Sequence, residues 1–436
     1  MSIKKTLFKN TLFNLTGYIY LLLASFFAIS IMLSNLGKDL FGVYIFLASF
    51  IPLASVFDLG VSMGLIRQIA GEKDIKNQTK TWQTGLFIFL VQAFALSVIF
   101  FALILYLLYK LPLFGLLPSN SYLLTSLILS FTVFINHLNN GLLSVPQAMQ
   151  RFDVYNSKSY LVGTANTLLT AWLTTKTNNL SQVFALQLLF HFVTFVYVYA
   201  YVKKIFGSGA FKPKLHQEEQ KSLISFGLKN FVGTLAGQVE AQISKFFLGF
   251  LSTAQSITAF NIPQNLVMKS AGLVSQVSQA FFPLSANLLS KEKIQKLRKL
   301  YISLQILIFL GGLLAIYLVS QYGQVFLFWW LKDGQIVSLA YPVLQVLVFY
   351  FVLLSLTPLP TALLQGLGLP QIPSFFAVLT TILEIIFMWL LIPTYHELGA
   401  AYAYLATIAI TSPAFLIYTS IVFRKQLKKI LFPDET

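Results

Sequence analysis

The sequence predicts an all-α polytopic integral membrane protein, with twelve transmembrane helices in two six-helix lobes around a central cavity. Three observations lead there. Hydrophobic residues make up 57% of the 436-residue chain and charged residues only 10%, whereas a soluble domain carries about 25% charged residues. Twelve apolar runs can be traced, each reaching or approaching the roughly 20 residues that cross the hydrocarbon of a bilayer as a helix. The Lys and Arg residues fall mainly in alternate connections between those runs, as the positive-inside rule requires of a multi-pass protein.

The first run, residues 11–33, follows Lys4, Lys5 and Lys9. It exceeds the roughly 7 to 15 residues of a signal-peptide core and lacks a small-residue cleavage site, so it is expected to remain as a transmembrane helix. The next five are residues 40–66, 83–109, 119–145, 160–175 and 180–202; the last six are 223–250, 257–284, 301–320, 336–364, 372–393 and 398–423. Between the two sets lies the longest internal connection, residues 203–222, which is basic and rich in Gly and Pro. It divides the chain into an N-terminal lobe (1–205), a cytoplasmic linker (206–222) and a C-terminal lobe (223–436) with a basic tail. Six helices in each half give both halves the same orientation, as in parallel repeats about an axis along the membrane normal.

Charge sets the orientation. Of the 30 Lys and Arg residues, 23 lie on the side of the N-terminus, four (Lys38, Lys110, Lys176 and Lys332) lie in the opposite loops, and Lys229, Lys245 and Lys269 lie within helices. Both termini are therefore expected in the cytoplasm. The net charge of +16 is mostly this topology signal, with an attraction to anionic membrane lipid. Its dispersal over short loops excludes a nucleic-acid partner. The tail from Arg424 and the 68–82 connection read equally as interfacial amphipathic segments or as solvated loops.

Several chemistries are excluded. The chain has no cysteine, hence no disulfide framework and no thiolate metal site. His137, His191, His216 and His396 are scattered, without the spacing of metal ligands. No Gly-x-x-x-x-Gly-Lys-Ser/Thr phosphate loop occurs. No catalytic residue, metal or cofactor is expected, and the chain does not read as an enzyme.

The functional signal lies in polar residues at membrane depth. In the eighth run Asn261, Asn265, Lys269, Gly272, Gln276 and Gln279 fall within roughly a quarter of the helix circumference. Lys269 sits too deep to reach the interface cheaply; a lysine there costs about 2.5 to 3.5 kcal/mol, so it should face water, protein or a polar ligand. In the second run Tyr44, Ser55, Asp58 and Ser62 share a face, and Arg67 closes its inner end. The seventh run is polar on two sides: Lys229, Gly233, Glu240 and Ser244 on one, Thr234, Gln238 and Lys245 on the other. Small residues Gly233, Ala236 and Gly237 suit close packing, so the Gln238 and Lys245 side is favoured for a cavity. Ser374, Thr381 and Glu384 form a further stripe in the eleventh run. Structural alternatives stay open: Asp58 also fits an interfacial turn, Lys229 can reach the cytoplasm, and Lys245, Lys269 and Glu384 can belong to buried ion pairs.

A resemblance follows from particular residues. Leu36-Gly37-Lys38-Asp39-Leu40-Phe41-Gly42-Val43-Tyr44, with Phe57-Asp58-Leu59-Gly60 and Arg67, resembles the second-helix signature of polysaccharide-export flippases. This family moves O-antigen or capsule repeat units and belongs to the superfamily of multidrug, oligosaccharidyl-lipid and polysaccharide exporters. Gln150-Arg151-Phe152-Asp153-Val154-Tyr155-Asn156 and Phe281-Phe282-Pro283-Leu284-Ser285 are similar to it too. The resemblance spans nearly the whole chain, but Ser244-Lys245 stands where family members often pair an acidic with a basic residue.

It implies a bacterial inner-membrane protein that carries an undecaprenyl-diphosphate-linked oligosaccharide across by alternating access, alongside other polysaccharide-assembly proteins. Lys269, Lys245 and Arg67 are then expected at the anionic headgroup. Asn261, Asn265, Gln276, Gln279 and Gln238 are expected at sugar hydroxyls, and Asp58, Glu240 and Glu384 in ion coupling or structural pairing. Two alternatives remain. A cation-coupled multidrug antiporter of the same superfamily would want a more acidic cavity. A membrane-embedded polymerase or ligase typically carries a large outward loop, which this sequence lacks.

Overall fold

In the computed structural model, which describes residues 3–287 and 291–431, the chain is built from helices and short turns, with no strand among the described residues. The first helix, α1 (Ile3–Ala48), has 46 residues and breaks at Gly37. At 1.5 Å per residue it is about 69 Å long, more than twice the roughly 30 Å of bilayer hydrocarbon. Gly37 adopts φ 72° and ψ 166°, a region that a side chain effectively forbids. The break falls in the connection expected between the first two runs.

The second expected helix is not continuous. After the break in α1 the chain passes through α2 (Phe50–Ala54) and a 3₁₀ turn (Ser55–Asp58), then resumes as α3 (Val61–Gly71). Leu59 and Gly60, at φ 54° and 76°, form a left-handed pair that interrupts the helical ladder. A left-handed leucine carries a steric cost, and this one lies inside the Phe57-Asp58-Leu59-Gly60 motif. The inner connection is also shorter than expected. It comprises Glu72, Lys73 and Asp74, with Asp74 capping α4 (Ile75–Lys110) by accepting from Lys76 N at 3.0 Å.

The first unit continues with α5 (Tyr122–Ala148), α6 (Phe152–Tyr155), α7 (Ser157–Thr164), a π turn (Ala165–Leu169), α8 (Thr170–Thr174) and α9 (Leu180–Phe206). Aromatic contacts fill one end of its core: Phe46 meets Phe50 and Phe114, and Tyr44 stacks on Phe184. Gln187 Nε2 donates to Tyr44 Oη at 2.9 Å and to Thr170 Oγ1 at 3.0 Å, tying α9 to α1 and α8. These polar groups are buried and mutually satisfied, as interior polar groups must be.

The residues expected to form a linker are docked onto this unit. Phe211 packs against Tyr199 and Trp82, with ring centroids 4.3 and 5.8 Å apart. Gln83 Nε2 donates to the Gly209 carbonyl at 3.1 Å, His216 N to Thr84 Oγ1 at 3.2 Å, and Gln68 Nε2 to Ser222 Oγ at 2.8 Å. The chain then enters α10 (Gln217–Leu251). Two compact units meet along the sequence within this helix, the first ending at Gln242 and the second starting at Ile243.

The second unit holds the remainder of α10, α11 (Ala254–Asn287), α12 (Lys291–Leu331), α13 (Gly334–Ser355), α14 (Pro358–Gly366) and α15 (Gln371–Leu431). The expected tenth run is split before Pro358, which lacks the N–H that would continue the helical ladder. α15 breaks at His396 (φ 50°, ψ −123°), between the two runs expected there. Gln264 Nε2 donates to Tyr404 Oη at 2.9 Å and to Ser244 Oγ at 3.3 Å, a buried knot joining α11, α15 and α10.

Among the described residues, seven helical segments are long and apolar enough to cross a membrane, and two of them, Gly17–Asp58 and Gln371–Lys425, contain the breaks at Gly37 and His396. Their outward faces are apolar as well: α4 exposes Val91, Phe94, Val98 and Tyr109 while burying Phe89, Ala93, Phe100 and Ile104. A helix apolar all round belongs in lipid, and the protein is a multi-pass membrane protein.

Candidate functional site

The break in the second span builds one side of a polar cavity of about 300 Å³ in the first unit. At the restart of the helix the first N–H groups of α3 have no carbonyl partner within the helix. Asp58 supplies one, its Oδ1 accepting from Ser62 N at 3.1 Å. A carboxylate is favoured at this positive end of the helix. Asp58 and Ser62 both line the cavity, with Met63 and Ile66.

The facing wall comes from α5. Asn136, Asn140, Ser144 and Gln147 lie on one stripe, within about 80° of the helix circumference. Asn136 Nδ2 donates to Ser55 Oγ at 2.9 Å and Asn140 Nδ2 to the same oxygen at 3.4 Å, so the 3₁₀ turn before Asp58 is held against α5. Asn140, Ser144 and Gln147 open into the cavity. The third wall is α7, from which Lys158 Nζ donates to Asn140 Oδ1 at 2.7 Å. Ser159 and Tyr155 complete the lining. A cation, a carboxylate, two amides and several hydroxyls thus converge in a space at the lower end of the roughly 300 to 1,000 Å³ typical of small-molecule sites. Such a lining can hold a hydroxyl-rich or anionic group by hydrogen bonds and charge.

Behind this wall α5 is anchored by further polar contacts. His137 Nε2 and Gln92 Oε1 are 3.2 Å apart, and Asn139 Nδ2 donates to the His191 carbonyl at 2.9 Å. Below α5 the chain turns at Gln150 (φ 56°), and Arg151 makes a bidentate pair with Asp153 at 2.9 and 2.7 Å. The guanidinium lies 5.7 Å from the Tyr201 ring centroid. Asp153 raises the arginine's affinity for its proton, and the arginine holds the Asp153 carboxyl below its ordinary range.

Of the residues singled out in the sequence, Asp58 lines this cavity, and Arg67 lies exposed further along α3. Gln238 is exposed and Glu240 half-buried on the part of α10 that belongs to the first unit. The other candidates belong to the second unit. Lys245 is half-buried on α10, and Glu384 is buried on α15. Asn261 is buried and accepts from Asn265 Nδ2 at 2.7 Å. Lys269 and Gln276 are half-buried further along α11, while the side chain of Gln279, like those of Lys229, Gly233 and Thr234, lies outside the described residues.

The second unit's larger cavity, about 450 Å³, is apolar and takes Leu266, Val267 and Ser270 from α11. These three residues are centred about 150° around the helix from the polar stripe. Lys158 and Asn140 did not stand out in the sequence. The signal that finds them is the Asn136, Asn140, Ser144, Gln147 stripe, which is as regular as the one in α11.

The sequence of residues 7–289 matches the family described as polysaccharide biosynthesis protein, and residues 231–390 match the MatE family. A candidate O-antigen transporter of Shigella flexneri is 24% identical over 404 residues, covering 91% of this chain and 93% of that protein. Among solved structures, an inward-facing multidrug resistance MATE family transporter of the MOP superfamily aligns with a TM-score of 0.72 at 15% identity, covering 95% of each chain. The lipid II flippase MurJ, in an inward closed conformation, aligns with a TM-score of 0.65 at 15% identity, covering 98% of this chain and 89% of its own. These two likenesses establish the fold.

Proposed function

The chain belongs to the polysaccharide biosynthesis protein family, and from that premise we propose that it is a flippase for a lipid-linked oligosaccharide. In this reading it moves an undecaprenyl-diphosphate-linked repeat unit from the inner to the outer leaflet of the bacterial cytoplasmic membrane by alternating access. Twelve transmembrane helices form two six-helix lobes, with both termini in the cytoplasm.

One observation carries the reading: a lysine, a carboxylate and a stripe of amides and hydroxyls share one cavity inside a membrane-spanning unit, with Lys158 held to Asn140 at 2.7 Å. A charge at membrane depth is costly and marks a polar pathway. Asn140, Ser144, Gln147 and Ser62 suit sugar hydroxyls, and Lys158 suits a phosphate or an acidic sugar. Lys245, Lys269 and Arg67 take the diphosphate as further contacts, with Asn261, Asn265, Gln276, Gln279 and Gln238 on the sugars. Asp58, Glu240 and Glu384 serve ion coupling or pairing.

The test is complementation of a deletion strain. The expected result is that loss of the protein leaves lipid-linked repeat units on the cytoplasmic leaflet, and that the wild-type gene restores surface polysaccharide. Accumulation of units already flipped but unpolymerised would point to a polymerase and overturn the assignment.

The match of residues 231–390 to the MatE family, with Asp58 in the cavity, supports a second reading, a cation-coupled multidrug antiporter. Drug susceptibility of the same deletion strain separates the two. Hypersensitivity to organic cations with normal surface polysaccharide would favour the antiporter.

A further inference from the structure

A second polar cavity, of about 130 Å³, lies in the second unit where α12, α14 and α15 come together. An apolar cluster closes its base. Leu297, Leu359, Leu363 and Phe423 are buried there, and Tyr301 packs on Phe423 with ring centroids 6.0 Å apart. Above this floor the lining includes Arg298 from α12 and Arg424, Thr419 and Ser420 from α15.

Two features call for a ligand. First, two guanidiniums from different helices line one small cavity. Arg298 and Arg424 are both exposed and neither has a described carboxylate within ion-pair distance, so an anion in the cavity would meet a cation from each helix. Second, Thr419 is fully buried and its hydroxyl has no hydrogen-bond partner among the described residues. A helical threonine or serine ordinarily bonds the carbonyl four residues back, as Thr411 and Ser420 do on the same helix.

We propose that this cavity binds the phosphate-ester headgroup of a membrane lipid. The arginine fork matches phosphate oxygens in pairs, and the Thr419 hydroxyl, whose proton is not used within the helix, can donate to a further oxygen. The apolar base, with Ile302 and Leu363 in the lining, suits the first carbons of the ester. Arg298 and Arg424 both belong to the basic connections assigned by charge asymmetry to the cytoplasmic side, so the lipid belongs to the inner leaflet. The site lies in the second unit and does not depend on what the first unit's cavity transports.

Native mass spectrometry of the full-length protein in detergent tests this with phosphatidylglycerol, undecaprenyl phosphate, diacylglycerol and inorganic phosphate as separate probes. The expected result is retention of one or both phosphate lipids over diacylglycerol, reduced by at least about tenfold in the double variant Arg298→Gln, Arg424→Gln, in line with loss of a charge-assisted hydrogen bond. Which phosphate lipid is retained more strongly identifies the source. Thr419→Val, nearly the same shape, is expected to reduce retention about threefold without touching the arginines. Lys425→Gln, a neighbouring exposed charge, is the control and should retain lipid as wild type does. Equal retention of diacylglycerol, unchanged retention in the double variant, or binding of inorganic phosphate alone would each overturn the proposal.

Discussion

Lys158 Nζ donates to Asn140 Oδ1 at 2.7 Å, joining the start of α7 to the stripe on α5. A methionine at position 158 keeps much of the side chain's length and removes both charge and donor. Lys158→Met is expected to leave the protein in the membrane at wild-type abundance and to lower translocation of lipid-linked repeat units at least about tenfold, the scale of one charge-assisted hydrogen bond to an anionic substrate. Lys158→Arg, which keeps the charge, should fall between. Full translocation by the methionine variant would remove Lys158 from the substrate path.

Asp58 plays two roles that different substitutions separate. Its carboxylate caps the restarted α3 through Ser62 N at 3.1 Å and places a negative charge in the cavity. Asp58→Asn can still accept that bond, whereas Asp58→Ala loses it at a cost of about 1 kcal/mol, typical of a lost helix cap. Thermal unfolding in detergent should therefore rank wild type and Asp58→Asn together, above Asp58→Ala. If the charge couples transport to a cation gradient, Asp58→Asn will translocate at a rate insensitive to an uncoupler; an unchanged uncoupler response excludes that coupling role.

Much of this architecture was legible because the physics involved is local. The breaks at Gly37 and His396 fall where apolar runs stop, whereas the split before Pro358 lies inside a run expected to be continuous. Asp58 was legible through the face it shares with Ser62, and both line the same cavity. Lys158 was not, because one lysine beside Arg151 in a basic connection satisfies the positive-inside pattern without implying a cavity. Only the start of α7 at Ser157, three residues ahead of the expected span, puts Lys158 within reach of Asn140. The left-handed Leu59 was also hidden, since leucine carries no signal for that conformation. The docked segment before α10 read as a linker because Gly and Pro are enriched there, while its anchors, Trp82, Tyr199 and Gly64, lie more than a hundred residues away or on other helices.

The Arg151 and Asp153 pair gives a pH prediction outside the membrane. The carboxyl of Asp153 is held below its ordinary value of 3.8, so its contribution to stability is fully present above that value and is lost as pH falls through the lowered one. Both side chains are about half exposed, so the effect is small. The melting-temperature difference between wild type and Asp153→Asn should stay constant from about pH 8 to 5 and shrink only below the ordinary carboxyl range. A difference that varies between pH 8 and 5 would assign the dependence to another group.

The first turns of α10 are held against α3 at Gly64. A Cβ added there would stand 3.1 Å from Leu223 Cδ2 and 3.2 Å from the Leu223 carbonyl oxygen, and backbone gives way less readily than a side-chain tip. Gly64→Val is expected to push Leu223 off α3 and weaken the contacts just before it in the chain, including that of Gln68 with Ser222. Lys214 is exposed and, unlike Lys212, is not followed by proline, yet trypsin needs the backbone around it locally opened. Limited trypsinolysis in detergent should cut Gly64→Val between residues 207 and 222 several times faster than wild type. Gly71→Ala, with open space around the added carbon, should match wild type. Equal cutting of all three proteins would mean that Gly64 does not hold the segment, leaving Phe211 between Trp82 and Tyr199 as its anchor.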